Sequence, residues 1–394
     1  MKNSNKFLLL SALLTLTLSA CSRSASHSST NSESTPEQST SESSRIEQSS
    51  ESQVVSSSQS EAPSSSTVQP VDNRVSVFVL SGQSNMEGST YWTHPTRNTP
   101  LLENYFDEEG MDFAPVRDGI PNVLTTFYGF YHPNGWTNAH TASPDKNTPE
   151  ARLTPNFQPT KVGMGVSDKG DNPNPFFGPE LGLAYTISDY VDEDRPVYLI
   201  KCAFSGSGFT NGNYANGDPD WDSRNDDPKE SLFYLLKTYT HNSLEAIEDE
   251  GYEPVIKGFV WHQGESGGGK PDYETSMRKL LSDFKEEFED YAPDQDVDQV
   301  AFLDCTIYDG DSPVSYKNRT TGRIDTNDAK MAIANESEDD LNFCINANHE
   351  EGGLGLEIGD DAKGGYNTYH YNTPDAFKLG QAYGQLIIDN DLLD

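Results

Sequence analysis

Five apolar runs rich in β-branched and aromatic residues, each parted from the next by a stretch of helical periodicity, restrict this chain to one architecture. The runs are VSVFVL (75–80), PVYLIKC (196–202), VIKGFVW (255–261), QVAFLDC (299–305) and LNFCINA (341–347). Strands without polar alternation are buried on both faces, the condition of a parallel sheet covered by helices. Helical patterns at 178–191, 230–250, 272–291 and 327–335 lie between these runs. A last helix follows Thr373, read as its N-cap, with Pro374 in the first turn. The expected fold is α/β: a three-layer α/β/α sandwich with a roughly five-stranded parallel sheet. Segment 89–177, after the first strand, breaks the rhythm. It is rich in Pro, Asn, Gly and aromatics, as in TFYGFYHPNGWTNAH (126–140), and reads as a long loop insertion. Its aromatics either offer sugar rings a stacking surface or cover the core.

These signals begin at about residue 73, so the folded domain is expected over 73–394. Residues 1–20 read as an export signal: Lys2 and Lys6, then FLLLSALLTLTL, then small residues. Leu18-Ser19-Ala20-Cys21 resembles the lipobox of bacterial lipoproteins, which implies acylation of Cys21 and anchoring at the extracellular face of the cell membrane. Residues 21–72 are nearly all Ser, Glu, Gln, Thr and Pro. They hold too little apolar surface to offset ordering entropy and are expected to be a disordered tether spanning about 40 Å root-mean-square.

With 63 acidic against 27 basic residues, the formal net charge is −36. That excludes nucleic acid as a partner and disfavours steering of anionic substrates. Cys202, Cys305 and Cys344 cannot all pair and match no metal spacing; they are expected to be buried thiols, with one disulfide as the alternative. Asp218, Asp220 and Asp222 are spaced like a calcium loop, but Ser223 stands where such loops need glycine and Lys229 where they need glutamate. A solvated acidic turn is the expectation, and neither metal nor cofactor is expected.

Three strands end in polar residues. The first runs into Ser81-Gly82-Gln83-Ser84-Asn85, the second into AFSGSGF (203–209), and the third into His262-Gln263-Gly264-Glu265-Ser266. Open α/β sheets bind ligands beyond the carboxyl ends of their strands. A serine there needs a base, and His370, just before the last helix, lies at the same edge. Gly206 permits close approach of backbone N–H groups. Nucleophile, base and oxyanion donors are the parts of an acyl-transfer site.

LSGQSNMEG (80–88) together with FVWHQGES (259–266) resembles the SGNH-hydrolase superfamily, and within it the sialate O-acetylesterase-like branch also grouped with carbohydrate acetylesterases. FFGPELGLAY (176–185) and HYNTPDAFKLGQAYG (370–384) are similar to further blocks of that family. The resemblance implies a flavodoxin-like SGNH fold with Ser84 as nucleophile and His370 as general base. It implies the Ser84 N–H, the Gly206 N–H and the Gln263 amide as oxyanion donors. Glu265 is expected to supply charge to His370, with Gln83, Asn85 and His262 holding the site. Two positions depart from the pattern. Ser205-Gly206 replaces a glycine pair, and Asn367 stands where the family commonly has Asp; an amide cannot stabilise an imidazolium as a carboxylate does. Asp360 and Asp361 are further candidates for that charge.

The expected function is a serine esterase, monomeric and membrane-tethered, removing O-acetyl groups from sialic acid or other acetylated glycans. Arg117, Arg152 and Arg224 are candidates for an anionic sugar. The alternative is a non-catalytic carbohydrate-binding surface lipoprotein with a degenerate site, favoured by Asn367. The chain shows no long apolar acyl groove or lid of the kind a lipase needs.

Overall fold

The computed structural model describes residues 72–94, 100–129, 153–166, 174–209, 220–224, 231–266, 273–308, 320–336, 341–349, 352–359 and 370–393. The expected signal peptide, Cys21 and the tether to residue 71 lie outside these residues, as do Arg152, Asp218, Lys229, Asp360, Asp361 and Asn367.

The strands are β1 (Arg74–Gly82), β2 (Thr90–Tyr91), β3 (Ile120–Tyr128), β4 (Gln158–Thr160), β5 (Phe176–Phe177), β6 (Val197–Ala203), β7 (Glu253–His262), β8 (Ala301–Cys305) and β9 (Asn342–Ile345). The helices are α1 (Ser84–Glu87), α2 (Leu101–Glu109), α3 (Ala114–Asp118), α4 (Pro179–Ile187), α5 (Leu232–Asp249), α6 (Tyr273–Glu287), α7 (Thr320–Ala334) and α8 (Thr373–Asp389). Seven strands form the central sheet in the order β4-β3-β6-β1-β7-β8-β9, and β2 and β5 make a separate two-stranded ribbon. All neighbours in the central sheet are parallel except β4, which runs antiparallel to β3.

Alternation along each central strand builds both cores. Val75, Val77 and Val79 of β1 pack with side chains of α5 and α6, while Phe78 and Leu80 pack on the other face with α2, α4 and α8. This is the three-layer α/β/α sandwich.

The sheet is wider than expected by two strands, both from segment 89–177. β3 carries Pro121 and three polar residues among its nine, and β4 contains Pro159. Proline and the polar residues interrupt these two strands, so neither shows the continuous apolar run by which the other five are read. The described parts of the segment therefore contain ordered strands and helices rather than only loop. At the other end, the cap of α8 is Asn372, whose side chain accepts from the Asp375 N–H at 2.9 Å. Thr373 is the first helical residue instead, and its hydroxyl donates to the Tyr91 carbonyl at 2.8 Å. Cys202 and Cys305 are buried free thiols, and Cys344 is a half-buried one. Burial pushes the Cys202 and Cys305 thiols well above the ordinary range.

The register of the three central strands positions everything that follows. Gly82 of β1 sits opposite Ala203 of β6 on one side and His262 of β7 on the other. Three polar strand ends thus finish level with one another.

Candidate active site

The chain leaves β1 at Gly82 with φ +142°, where a Cβ would come within 2.1 Å of the His262 carbonyl oxygen. Only glycine fits there. The Gln83 N–H donates to that same His262 oxygen at 3.0 Å, and the Phe204 N–H donates to the Gly82 oxygen at 3.0 Å. Backbone bonds therefore continue across the three strand ends and into the loops. Ser84 opens α1, and as a first helical residue its N–H has no intrahelical acceptor. Its side chain lies at the margin of the interior, 5 % exposed.

Beyond β6 the chain turns over Phe204-Ser205-Gly206-Ser207, closed by the Ser207 N–H on the Phe204 oxygen at 3.4 Å. Gly206 has φ +74°, a left-handed conformation that glycine adopts without strain. No described residue accepts its N–H. Ser207 is anchored by its own hydroxyl on the Phe204 oxygen at 2.7 Å and by the Trp221 indole N–H at 2.8 Å.

The loop after β7 is tied to both of the others by two amides. Gln83 Oε1 accepts from Gln263 Nε2 at 3.2 Å, from the Gly264 N–H at 3.4 Å and from the Ser266 N–H at 3.1 Å. Gln263 Nε2 also reaches the Ser207 and Ser266 carbonyls, at 3.0 and 3.1 Å. Two amide hydrogens thus face three protein acceptors, and the Gln263 amide fastens the loops to each other.

Glu265 is buried beside them. Its Oε1 accepts from Asn85 Nδ2 at 2.5 Å and lies 3.4 Å from His262 Nε2, while Oε2 has no hydrogen-bond partner among the described residues. Among the described residues neither ring nitrogen of the fully buried His262 has a hydrogen-bond partner, so its link to Glu265 is electrostatic. Burial pushes the Glu265 carboxyl up, but the nearby His262 and the N–H donors that converge on it win, and hold it at about 2.

His370 is half-buried, and the segment that carries it is pinned on three sides. The Tyr371 N–H donates to Asn85 Oδ1 at 3.3 Å, the Thr90 hydroxyl to the Tyr371 oxygen at 3.0 Å, and the Gly359 N–H to the His370 oxygen at 3.2 Å. The Tyr371 ring lies 5.7 Å from that of His262. Asn85 therefore joins Glu265 to the His370 segment, and Ser84 and His370 are the sequence neighbours of its two ends.

Beneath the site lies a buried charge cluster that the motifs did not announce. Lys201 Nζ is 2.9 Å from Glu180 Oε2, oriented as an ion pair rather than a directed hydrogen bond. It also donates to the Met164 and Glu87 carbonyls, at 2.7 and 3.2 Å, and stands 4.3 Å from the Phe127 ring centre. Burial draws the Lys201 ammonium below its ordinary range despite Glu180. The signal was a lysine inside PVYLIKC, since a charge in a doubly covered strand needs a partner.

The remaining candidates are elsewhere engaged. Arg117 pairs with Asp118 at 2.7 Å, and Arg224 pairs with Asp222, its Nε 2.7 Å from Oδ1. Among the described residues no group of His, Cys, Asp and Glu is placed to hold a metal ion.

A family model described as carbohydrate esterase, sialic acid-specific acetylesterase matches residues 136–389, a span that contains Gly206, Gln263, Glu265 and His370 and begins after Ser84. No curated protein matches the chain. Among solved structures, a protein from Arabidopsis thaliana is 16% identical, with 81% of this chain and 99% of that one covered and a TM-score of 0.48. NanS is 11% identical over 81% of this chain and 98% of its own, also with a TM-score of 0.48. A carbohydrate acetylesterase from Xanthomonas citri is 13% identical over 79% of this chain and 55% of its own, with a TM-score of 0.40. By the extent of the family match, the chain belongs to the sialic acid-specific acetylesterase family of carbohydrate esterases and is a carboxylic ester hydrolase.

Proposed function

We propose that the chain is a serine esterase that removes O-acetyl groups from carbohydrate through an acyl-enzyme on Ser84, with His370 as general base. The observation that carries this reading is the Asn85–Tyr371 hydrogen bond, which holds the residue after Ser84 against the residue after His370. Ser84 Oγ attacks the acetyl carbonyl carbon as its proton passes to His370. The carbonyl oxygen becomes an oxyanion, received by the N–H groups of Ser84 and Gly206. Collapse breaks the ester C–O bond, and His370 returns the proton to the departing sugar oxygen. Water, deprotonated by His370, then attacks the acetyl-serine; the bond between Ser84 Oγ and the acyl carbon breaks, acetate leaves and His370 returns the proton to Ser84 Oγ. A positioned donor of this kind is worth about 3 kcal/mol of barrier. Gln263 acts in this scheme by keeping the three loops together, its amide being engaged by Gln83, Ser207 and Ser266. Glu265, through Asn85, orients the His370 segment and places a negative charge at the same edge. Lipid anchoring through Cys21 at the extracellular face belongs to the same proposal and rests on the N-terminal sequence.

The test is acetate release by the full chain from an acetylated sialoside and an acetylated xylan, beside Ser84→Ala and beside a butyrate ester. Acetate from the wild type, none from Ser84→Ala and no butyrate cleavage is the expected result. A folded wild type that releases nothing from either glycan or from an aryl acetate leaves the sugar-binding reading in its place.

A further inference from the structure

We propose that Glu87 and Ser205 form a clasp that fixes the spacing between the two oxyanion donors, making both of them positioning residues for acyl transfer. This rests on the assignment of Ser84 and Gly206 above. Glu87 is the last residue of α1, three positions after Ser84, and its side chain is fully buried. A single oxygen of its carboxylate, Oε2, accepts both the Ser205 N–H, at 2.9 Å, and the Ser205 hydroxyl. Ser205 immediately precedes Gly206. The clasp thus joins the helix that opens with one donor to the turn that carries the other.

Its two ends are themselves held. The Glu87 N–H donates to the Gln83 oxygen at 2.7 Å and the Gly88 N–H to the Ser84 oxygen at 3.0 Å, so α1 is one closed turn. Lys201 Nζ grips the Glu87 backbone carbonyl from the sheet side at 3.2 Å. On the other end, Ser207 is anchored by Phe204, Trp221 and Gln263. The serine hydroxyl adds a charge-assisted bond that a glycine at 205 has no atom to make. The carboxylate also occupies the Ser205 N–H. That leaves the Gly206 N–H as the donor of this turn's central peptide available to a substrate oxygen. What resembled an erosion of the glycine pair is on this view a second tie between nucleophile and oxyanion turn.

The experiment uses the full chain and follows steady-state hydrolysis of an aryl acetate by wild type, Ser205→Ala, Ser205→Thr, Glu87→Gln and Ser84→Ala. Inhibition by a small boronic acid, whose boron takes up the serine oxygen to give a tetrahedral anion, is measured alongside, with a thermal melt of each variant. Misplacing a donor by a fraction of an ångström acts on the transition state rather than on substrate binding. Ser205→Ala is expected to lower kcat by about 10-fold, hold KM within about twofold, and weaken the boronic acid by the same factor as kcat/KM. Ser205→Thr restores the hydroxyl and most of kcat, and Glu87→Gln, which keeps a neutral acceptor, falls between. Wild-type kcat in Ser205→Ala, with Ser84→Ala inactive, overturns the clasp while leaving the esterase reading intact. So does a lowered melting temperature with unchanged kcat and boronic acid affinity. Full turnover in Ser84→Ala overturns the nucleophile assignment, and the clasp with it. Should Glu87→Gln not fold, Ser205→Ala decides, because it removes one hydroxyl from a half-buried turn.

Discussion

Asn85 donates from Nδ2 to Glu265 Oε1 across 2.5 Å, in a place where both side chains are almost wholly removed from solvent. The bond joins residues 180 positions apart, and the carbonyl end of the same amide holds the Tyr371 N–H. Asn85 is therefore the joint between the β1, β7 and α8 ends of the site.

Replacing Asn85 with alanine leaves a buried carboxylate and a buried N–H each short of a partner. Hydrogen bonds to charged groups contribute about 1.5–3 kcal/mol, so Asn85→Ala is expected to destabilise the fold by that order. Asn85→Asp is worse, since it sets a second carboxylate against Glu265. Urea unfolding of the three proteins checks the ranking; equal midpoints for wild type and Asn85→Asp contradict it.

Glu265 makes stability depend on acid. Its folded value of about 2 lies below the ordinary 4.5, so its stabilising contribution is complete above about pH 4.5 and is lost as pH falls toward 2. Linkage makes that contribution on the order of 3 kcal/mol. Glu265→Gln removes it: the variant is less stable at neutral pH and its unfolding free energy falls less steeply between pH 4.5 and pH 2. Parallel pH curves for the two proteins are the result that sinks this assignment.

Lys201 and Glu180 are both fully buried, so removing either alone strands the other's charge. Lys201→Met or Glu180→Leu is expected to cost about 3–5 kcal/mol, while the double replacement recovers much of the loss. A double-mutant cycle in urea reads the coupling directly. Additive single effects show that the pair is not the unit it is taken to be.

Gly82→Ala tests the junction of the three strand ends. Its Cβ would overlap the His262 carbonyl at 2.1 Å, and φ +142° is closed to alanine in any case. Because the Gln83 N–H uses that same oxygen, the strain falls on β1, β7 and the nucleophile's loop together. Loss of soluble protein, or a melting temperature lowered by more than about 10 °C with activity abolished, is expected. Normal activity at a normal melting temperature contradicts the geometry.

Much of the architecture was legible in the chain. Continuous apolar runs marked β1, β6, β7 and β8 because central parallel strands are buried on both faces; β9, a half-buried edge strand, showed in LNFCINA, and the helices between the runs showed their own period. β3 and β4 escaped notice because Thr125, Thr126, Pro121 and Pro159 dilute the apolar signal toward the sheet margin. Thr373 looked like a cap because threonine caps helices, yet Asn372 one residue earlier has the extended backbone that a cap needs.

Order along the chain determined the α/β alternation, the polar ends of three strands and the residue types available there, since these follow from local periodicity and composition. Only the tertiary structure decided who bonds to whom. It turned the Gln263 amide toward Gln83, gave Glu265 to Asn85 and His262, and set Ser205 on Glu87, 118 positions away. The reason is physical. Where side chains are buried most polar groups must find a protein partner, and which partner lies within hydrogen-bond reach is set by the register of strands, a relation between distant residues that no local pattern encodes.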